Sequence, residues 1–133
     1  MVAGNRTKKC TTDLSRQFMV ATRTFTDTIS EDHRAKIMEL ALSRIGCHGE
    51  NQYGECVPNF IVFDPEWSKT GPVWGPTERY EDDGRTLRVA APGLEDKVYV
   101  KLDDYDSKEE VTKNVGRNVG TQFVTTFMLA SDY

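Results

Sequence analysis

Nowhere in this 133-residue chain does an apolar run approach the roughly 20 residues that a helical membrane span requires. Residues 1–13 also lack an apolar h-region, so neither a signal peptide nor an anchor is expected, and a cytoplasmic protein is. Cysteine is scarce. Cys10, Cys47 and Cys56 make an odd count, which fits reduced thiols better than a disulfide framework. No Cys-x-x-Cys, Gly-Lys-Ser or Gly-Lys-Thr occurs, which removes the common zinc spacing and the P-loop. Histidine is limited to His33 and His48. They flank a predicted helix, and at its rise per residue they stand roughly 20 Å apart, too far to share one site.

The length suits one domain, 1–133, able to bury a core without bridges or metal. Charge is unevenly spread. Up to Gly46 there are eight Lys or Arg against five acids, and from Cys47 onward nine against sixteen. Much of the positive excess belongs to a polar arm, residues 1–13, and its continuation: Arg6, Lys8, Lys9 and Arg16 face only Asp13. A basic arm on an acidic body offers phosphate contacts through Arg6, Lys8 and Lys9, although four cations are also what a solvated tail carries.

From Gln17 to Thr26 the chain is rich in Thr, Val and Phe, which predicts a strand. Ser30 has the position and chemistry of an N-cap, with Glu31 and Asp32 at the positive end of the dipole. A helix over 31–45 follows, its stripe of Ile37, Leu40, Ala41 and Ile45 widened by Ala35, Met38 and Leu42, with Gly46 as the residue that stops it. Phe60 to Phe63 reads as a strand buried on both faces. Thr77 to Glu81 and Arg85 to Ala91 form a hairpin around Asp82-Asp83-Gly84. Lys97 to Leu102 alternates, burying Val98, Val100 and Leu102 and exposing Lys97, Tyr99 and Lys101. Ser107 and Glu110 have capping-box spacing, predicting a short helix over 108–118 with Gly116 in its middle. The last strand is Thr121 to Leu129, whose Gln122-Phe123 echoes Gln17-Phe18 as two neighbouring strands would.

The expected fold is α+β: a mostly antiparallel sheet of five to six strands, one long helix (31–45) packed on one face, and a short second helix (108–118). A ferredoxin-like core with an inserted hairpin fits this order, and an open curved sheet wrapped around the first helix competes with it.

Chemistry-bearing clusters are few. Cys47-His48-Gly49-Glu50 with Cys56 imitates the H-x-E of zinc deaminases but lacks their downstream cysteines, and a structural zinc would need Cys10 to return as a fourth ligand. No metal, cofactor or catalytic residue is assigned, so the chain reads as a non-enzyme. Asp82-Asp83 and Asp103-Asp104-Tyr105-Asp106 read as solvated turns. Between Asp64 and Pro76 lie three of the five prolines and both tryptophans. Stiffened by Pro65, Pro72 and Pro76, that loop presents Trp67, Pro72 and Trp74 as a recognition surface, unless the indoles fold back over the core.

Three functions are consistent with these features. The first is a non-enzymatic interaction or assembly protein, a small subunit, adaptor or inhibitor of virus-like or accessory type, binding a protein partner or its own copies through the Trp loop. The second is a nucleic-acid module using Arg6, Lys8 and Lys9, with the acidic body as a nucleic-acid mimic in a variant of it. The third is a small zinc enzyme at Cys47, His48, Glu50 and Cys56.

Overall fold

The computed structural model describes residues 17–67, 74, 78–105, 107–116 and 120–133. These form an α+β fold with strands β1 (Phe18–Ala21), β2 (Phe60–Asp64), β3 (Glu78–Tyr80), β4 (Thr86–Ala90), β5 (Val98–Asp104) and β6 (Phe123–Leu129). Its helices are α1 (Arg23–Thr28), α2 (Glu31–Arg44) and α3 (Lys108–Val115). The strands make one sheet in the order β1-β6-β5-β2-β4-β3.

That sheet is mixed, which corrects the expectation of a mostly antiparallel one: β1 pairs with β6, and β2 with β4, in parallel, while the other three pairings are antiparallel. Alternation identifies strands but says nothing of their direction. Here burial decides. The hairpin fixes β4 antiparallel to β3, and β4 brings Leu87, Val89 and Ala90 to the interior whereas β3 offers Glu78, Arg79 and Tyr80. The apolar member therefore takes the inner position beside β2, and the charged one forms the edge. A ferredoxin-like sheet, with its first strand central and antiparallel to its neighbours, is likewise corrected, since β1 is a four-residue edge strand with three exposed residues.

Residues 17–26 are the largest local departure. Only Phe18–Ala21 is strand; Thr22 then caps a helix that the sequence pattern does not predict, its hydroxyl accepting from Phe25 N at 3.2 Å. Threonine supports either state, and at an N-cap its oxygen satisfies an orphan donor. The turn is held by burial of Phe25 against Phe127, centroids 6.0 Å apart, and by Asp132, which accepts from the Thr22 and Thr24 hydroxyls. There are thus three helices among the described residues, and the expected pair of one long and one short helix is incomplete.

Helix α2 starts at its Ser30 cap, whose hydroxyl accepts from His33 N, and Gly46 follows its end with φ 68°. Its buried stripe is narrower than expected: Ile37, Ala41 and Ile45 are buried, while Ala35 is exposed and Met38 and Leu42 are 37% and 42% exposed. The stripe joins Ile61, Phe63, Leu87, Val89, Val98, Val100 and Phe127 in one core, where each fully buried side chain of this size contributes about 1.5–3 kcal/mol. Arg44 ties the last turn to β3 through hydrogen bonds of 2.9 to 3.1 Å onto Glu78.

β5 alternates as expected, burying Val98, Val100 and Leu102, and β6 does lie beside β1, as the Gln-Phe echo implied. Helix α3 ends earlier than 118. Gly116 closes it as a left-handed C-cap at φ 90°.

Candidate functional site

Because β5 runs antiparallel to both β2 and β6, and β4 parallel to β2, one end of the sheet gathers the starts of β2, β4 and β6 and the finish of β5. A groove of about 650 Å³ opens there. Its floor is aromatic. Phe60 on β2, Tyr99 on β5 and Tyr133 pack edge to face, with centroids 5.0 Å (Phe60 to Tyr99), 5.5 Å (Phe60 to Tyr133) and 5.6 Å (Tyr99 to Tyr133) apart. Tyr133 is the most open of the three, 69% exposed.

The rim is built by the loop between α2 and β2, which is more ordered than its composition suggests. His48 N donates to Val57 O and Val57 N to Gly49 O, and Glu50 bridges Cys56 in antiparallel fashion. The Asn51 side chain accepts from Tyr53 N and Glu55 N and donates to Glu55 Oε1 at 3.1 Å, setting that carboxylate for Arg85 Nε at 2.7 Å. Asn51 and then Arg85 hold the Glu55 carboxyl below its usual range. Across the groove, Asp83 loses solvent, yet hydrogen bonds from Arg85 N and from Thr86 lower its carboxyl. Lys101 Nζ stands 3.4 Å from Asp103 and 5.7 Å from the Tyr133 ring centre, and Gln122 donates to Asp104 at 2.7 Å.

Among the described residues, five carboxylates, Glu50, Glu55, Asp83, Asp103 and Asp104, thus line the groove against two cations, Arg85 and Lys101. Arg85 is committed to Glu55 and Lys101 to Asp103, so the space attracts positive charge while its floor offers ring faces to a cation or an apolar stem.

The two tryptophans singled out from sequence are not among the described residues that line this groove. Trp74 is core: 7% exposed, 6.0 Å from Phe63, with Nε1 donating to Pro92 O at 3.0 Å. Trp67 is half-buried beneath Arg79 and Arg88, whose guanidinium carbons lie 5.0 and 6.0 Å from its ring. Pro72, Arg6, Lys8 and Lys9 lie outside the described residues. The Cys47 thiol is exposed and free, 3.8 Å from the Tyr80 hydroxyl, and the His48 ring packs on Tyr80 instead of facing the groove. Cys56 is disulfide-bonded, which corrects the expectation of three reduced thiols and removes a thiolate from the zinc set considered above. Of that set only Glu50 and Cys56 line the groove. No group of three His, Cys, Asp or Glu among the described residues is arranged to hold a metal ion. No helix among them is long and apolar enough to cross a membrane.

Alternation alone places Tyr99 and Lys101 on a wet strand face, whereas the acids around them look in sequence like ordinary turns. What links them is that acids at 50–55, 83 and 103–104 flank strands that become neighbours, which only the pairing reveals. In comparisons with protein-family models, curated proteins and solved structures, nothing matches this chain.

Proposed function

We propose that this protein is a non-enzymatic interaction module that receives a positively charged segment of a partner protein in the groove at the end of its sheet. One observation supports this above the others: among the described residues, five carboxylates against two cations around a floor of Phe60, Tyr99 and Tyr133. Carboxylates steer and orient Lys or Arg side chains, and ring faces stabilise the same groups once water is displaced. The groove is open, and among the described residues lining it no nucleophile and base stand in contact, so adhesion suits it better than turnover. Phosphate would be repelled there, which sets the nucleic-acid reading behind an adaptor, inhibitor or assembly role. The recognition surface accordingly moves from the Trp loop to the groove.

The test is binding of labelled arginine-rich and glutamate-rich peptides of equal length, followed by anisotropy. Salt-sensitive binding of the basic peptide alone is expected, weakened several-fold by Glu50→Lys, a substitution that breaks no ion pair among the described residues. Equal binding of both peptides, or of neither, would overturn the reading.

A further inference from the structure

We infer that the groove takes arginine in preference to lysine, at a subsite between Asp103 and Tyr133 that Lys101 occupies in the free protein, so that an incoming arginine must displace Lys101. This rests on the reading of the groove as a surface for cations. The register of β5 sets the groups side by side. Tyr99, Lys101 and Asp103 follow one another at intervals of two residues, so their side chains leave one face of the strand. Phe60, the partner of Lys101 across the β2 and β5 ladder, shares that face.

The two cations among the described lining residues are held differently. Arg85 Nε stands 2.7 Å from Glu55, whose carboxylate also accepts from Asn51 at 3.1 Å. Lys101 Nζ stands 3.4 Å from Asp103 and 5.7 Å from the centre of the Tyr133 ring. The first of these exceeds the length of a good charge-assisted hydrogen bond, about 2.7–2.9 Å. The second is close to the roughly 6 Å limit of a cation–π contact. With 37% of the Lys101 side chain and 33% of the Asp103 side chain exposed, water screens the pair and little stability comes from it. Lys101 therefore marks a cation position without filling it well.

Arginine suits that position better on both counts. Its planar fork pairs with a carboxylate through two parallel hydrogen bonds, and its flat face stacks on a tyrosine ring, whereas an ammonium is a strongly hydrated point charge. A partner's lysine would only exchange one ammonium for another. An arginine gains contacts that Lys101 does not make, and the flexible Lys101 stem carries its charge into the solvent it already meets.

Affinities for arginine-rich and lysine-rich peptides of equal length and charge are measured by anisotropy for the full chain, for Lys101→Arg and for Lys101→Gln. The unaltered protein is expected to bind the arginine-rich peptide about tenfold more tightly than the lysine-rich one. Lys101→Arg keeps the charge but supplies a stronger internal competitor, and should weaken binding of the arginine-rich peptide about fivefold. Lys101→Gln removes the competitor and should tighten it several-fold. Equal binding of the two peptides, a Lys101→Arg variant that binds as tightly as the unaltered protein, or no gain from Lys101→Gln would overturn the subsite while leaving the groove's function standing. Binding of neither peptide by any of the three proteins would overturn both.

Discussion

At Glu95 burial and hydrogen bonding pull in opposite directions, and hydrogen bonding wins. Loss of solvent raises the carboxyl, but hydrogen bonds from His33 and Ser30, with backbone N–H groups, bring it from 4.5 down to about 2. His33 Nδ1 lies 2.7 Å from Oε1, and Ser30 N donates to Oε2 at 2.9 Å, so one side chain fastens the loop before β5 to the first turn of α2. A carboxyl depressed in the folded state stabilises the fold above its unfolded value of 4.5, and that contribution is lost as pH falls toward 2. With the side chain 32% exposed, screening reduces the contribution to about 1–2 kcal/mol. Glu95→Gln is therefore expected to lower the melting temperature at neutral pH by about 3–8 °C. The gap between the two proteins should close between pH 4.5 and 2. Melting curves that stay parallel across that range would sink the assignment.

Elements were legible where one residue type could do one job. Ser30 ahead of an apolar stripe, Asp-Gly between alternating runs, and a short apolar run between prolines each marked an element that the structure contains. The failures occur where a residue serves two states equally well. Thr22 is as good a cap as a strand residue, and nothing local discloses that Phe25 finds Phe127 about a hundred residues away. Gly116 is the sharper case, because the two readings predict opposite signs. Inside a helix, replacement by alanine would add about 1 kcal/mol of stability. Gly116 is instead a C-cap at φ 90°, with no atom within 4 Å of the place a Cβ would take. The same change there meets no clash and costs about 1 kcal/mol through backbone strain alone. Denaturant unfolding of Gly116→Ala separates the two, with a lower midpoint and unchanged slope expected. A higher midpoint would restore the longer helix.

For the whole molecule, strand direction was the quantity hidden from the sequence, and the site depended on it. The acids at 50–55, 83 and 103–104 are dispersed along the chain and become one lining only because β2, β4 and β6 start together where β5 ends. The same topology divides labour between tryptophan and tyrosine features that sequence alone could not rank. Trp74 belongs to the core, closing over Phe63 with His33 5.0 Å and the Lys36 ammonium 5.4 Å from its ring. Tyr133 belongs to the groove and is 69% exposed. Trp74→Ala should then cost about 3 kcal/mol or more of stability by emptying a core volume, and leave affinity for the basic peptide unchanged in the folded fraction. Tyr133→Ala should do the reverse, costing less than about 1 kcal/mol of stability while weakening binding by about fivefold through loss of a ring face for the incoming cation. Both variants are measured by chemical denaturation and by peptide anisotropy on the same preparations. If Trp74→Ala abolished binding at full stability, recognition would return to the proline-rich loop, and the sheet end would be left as a solvated depression.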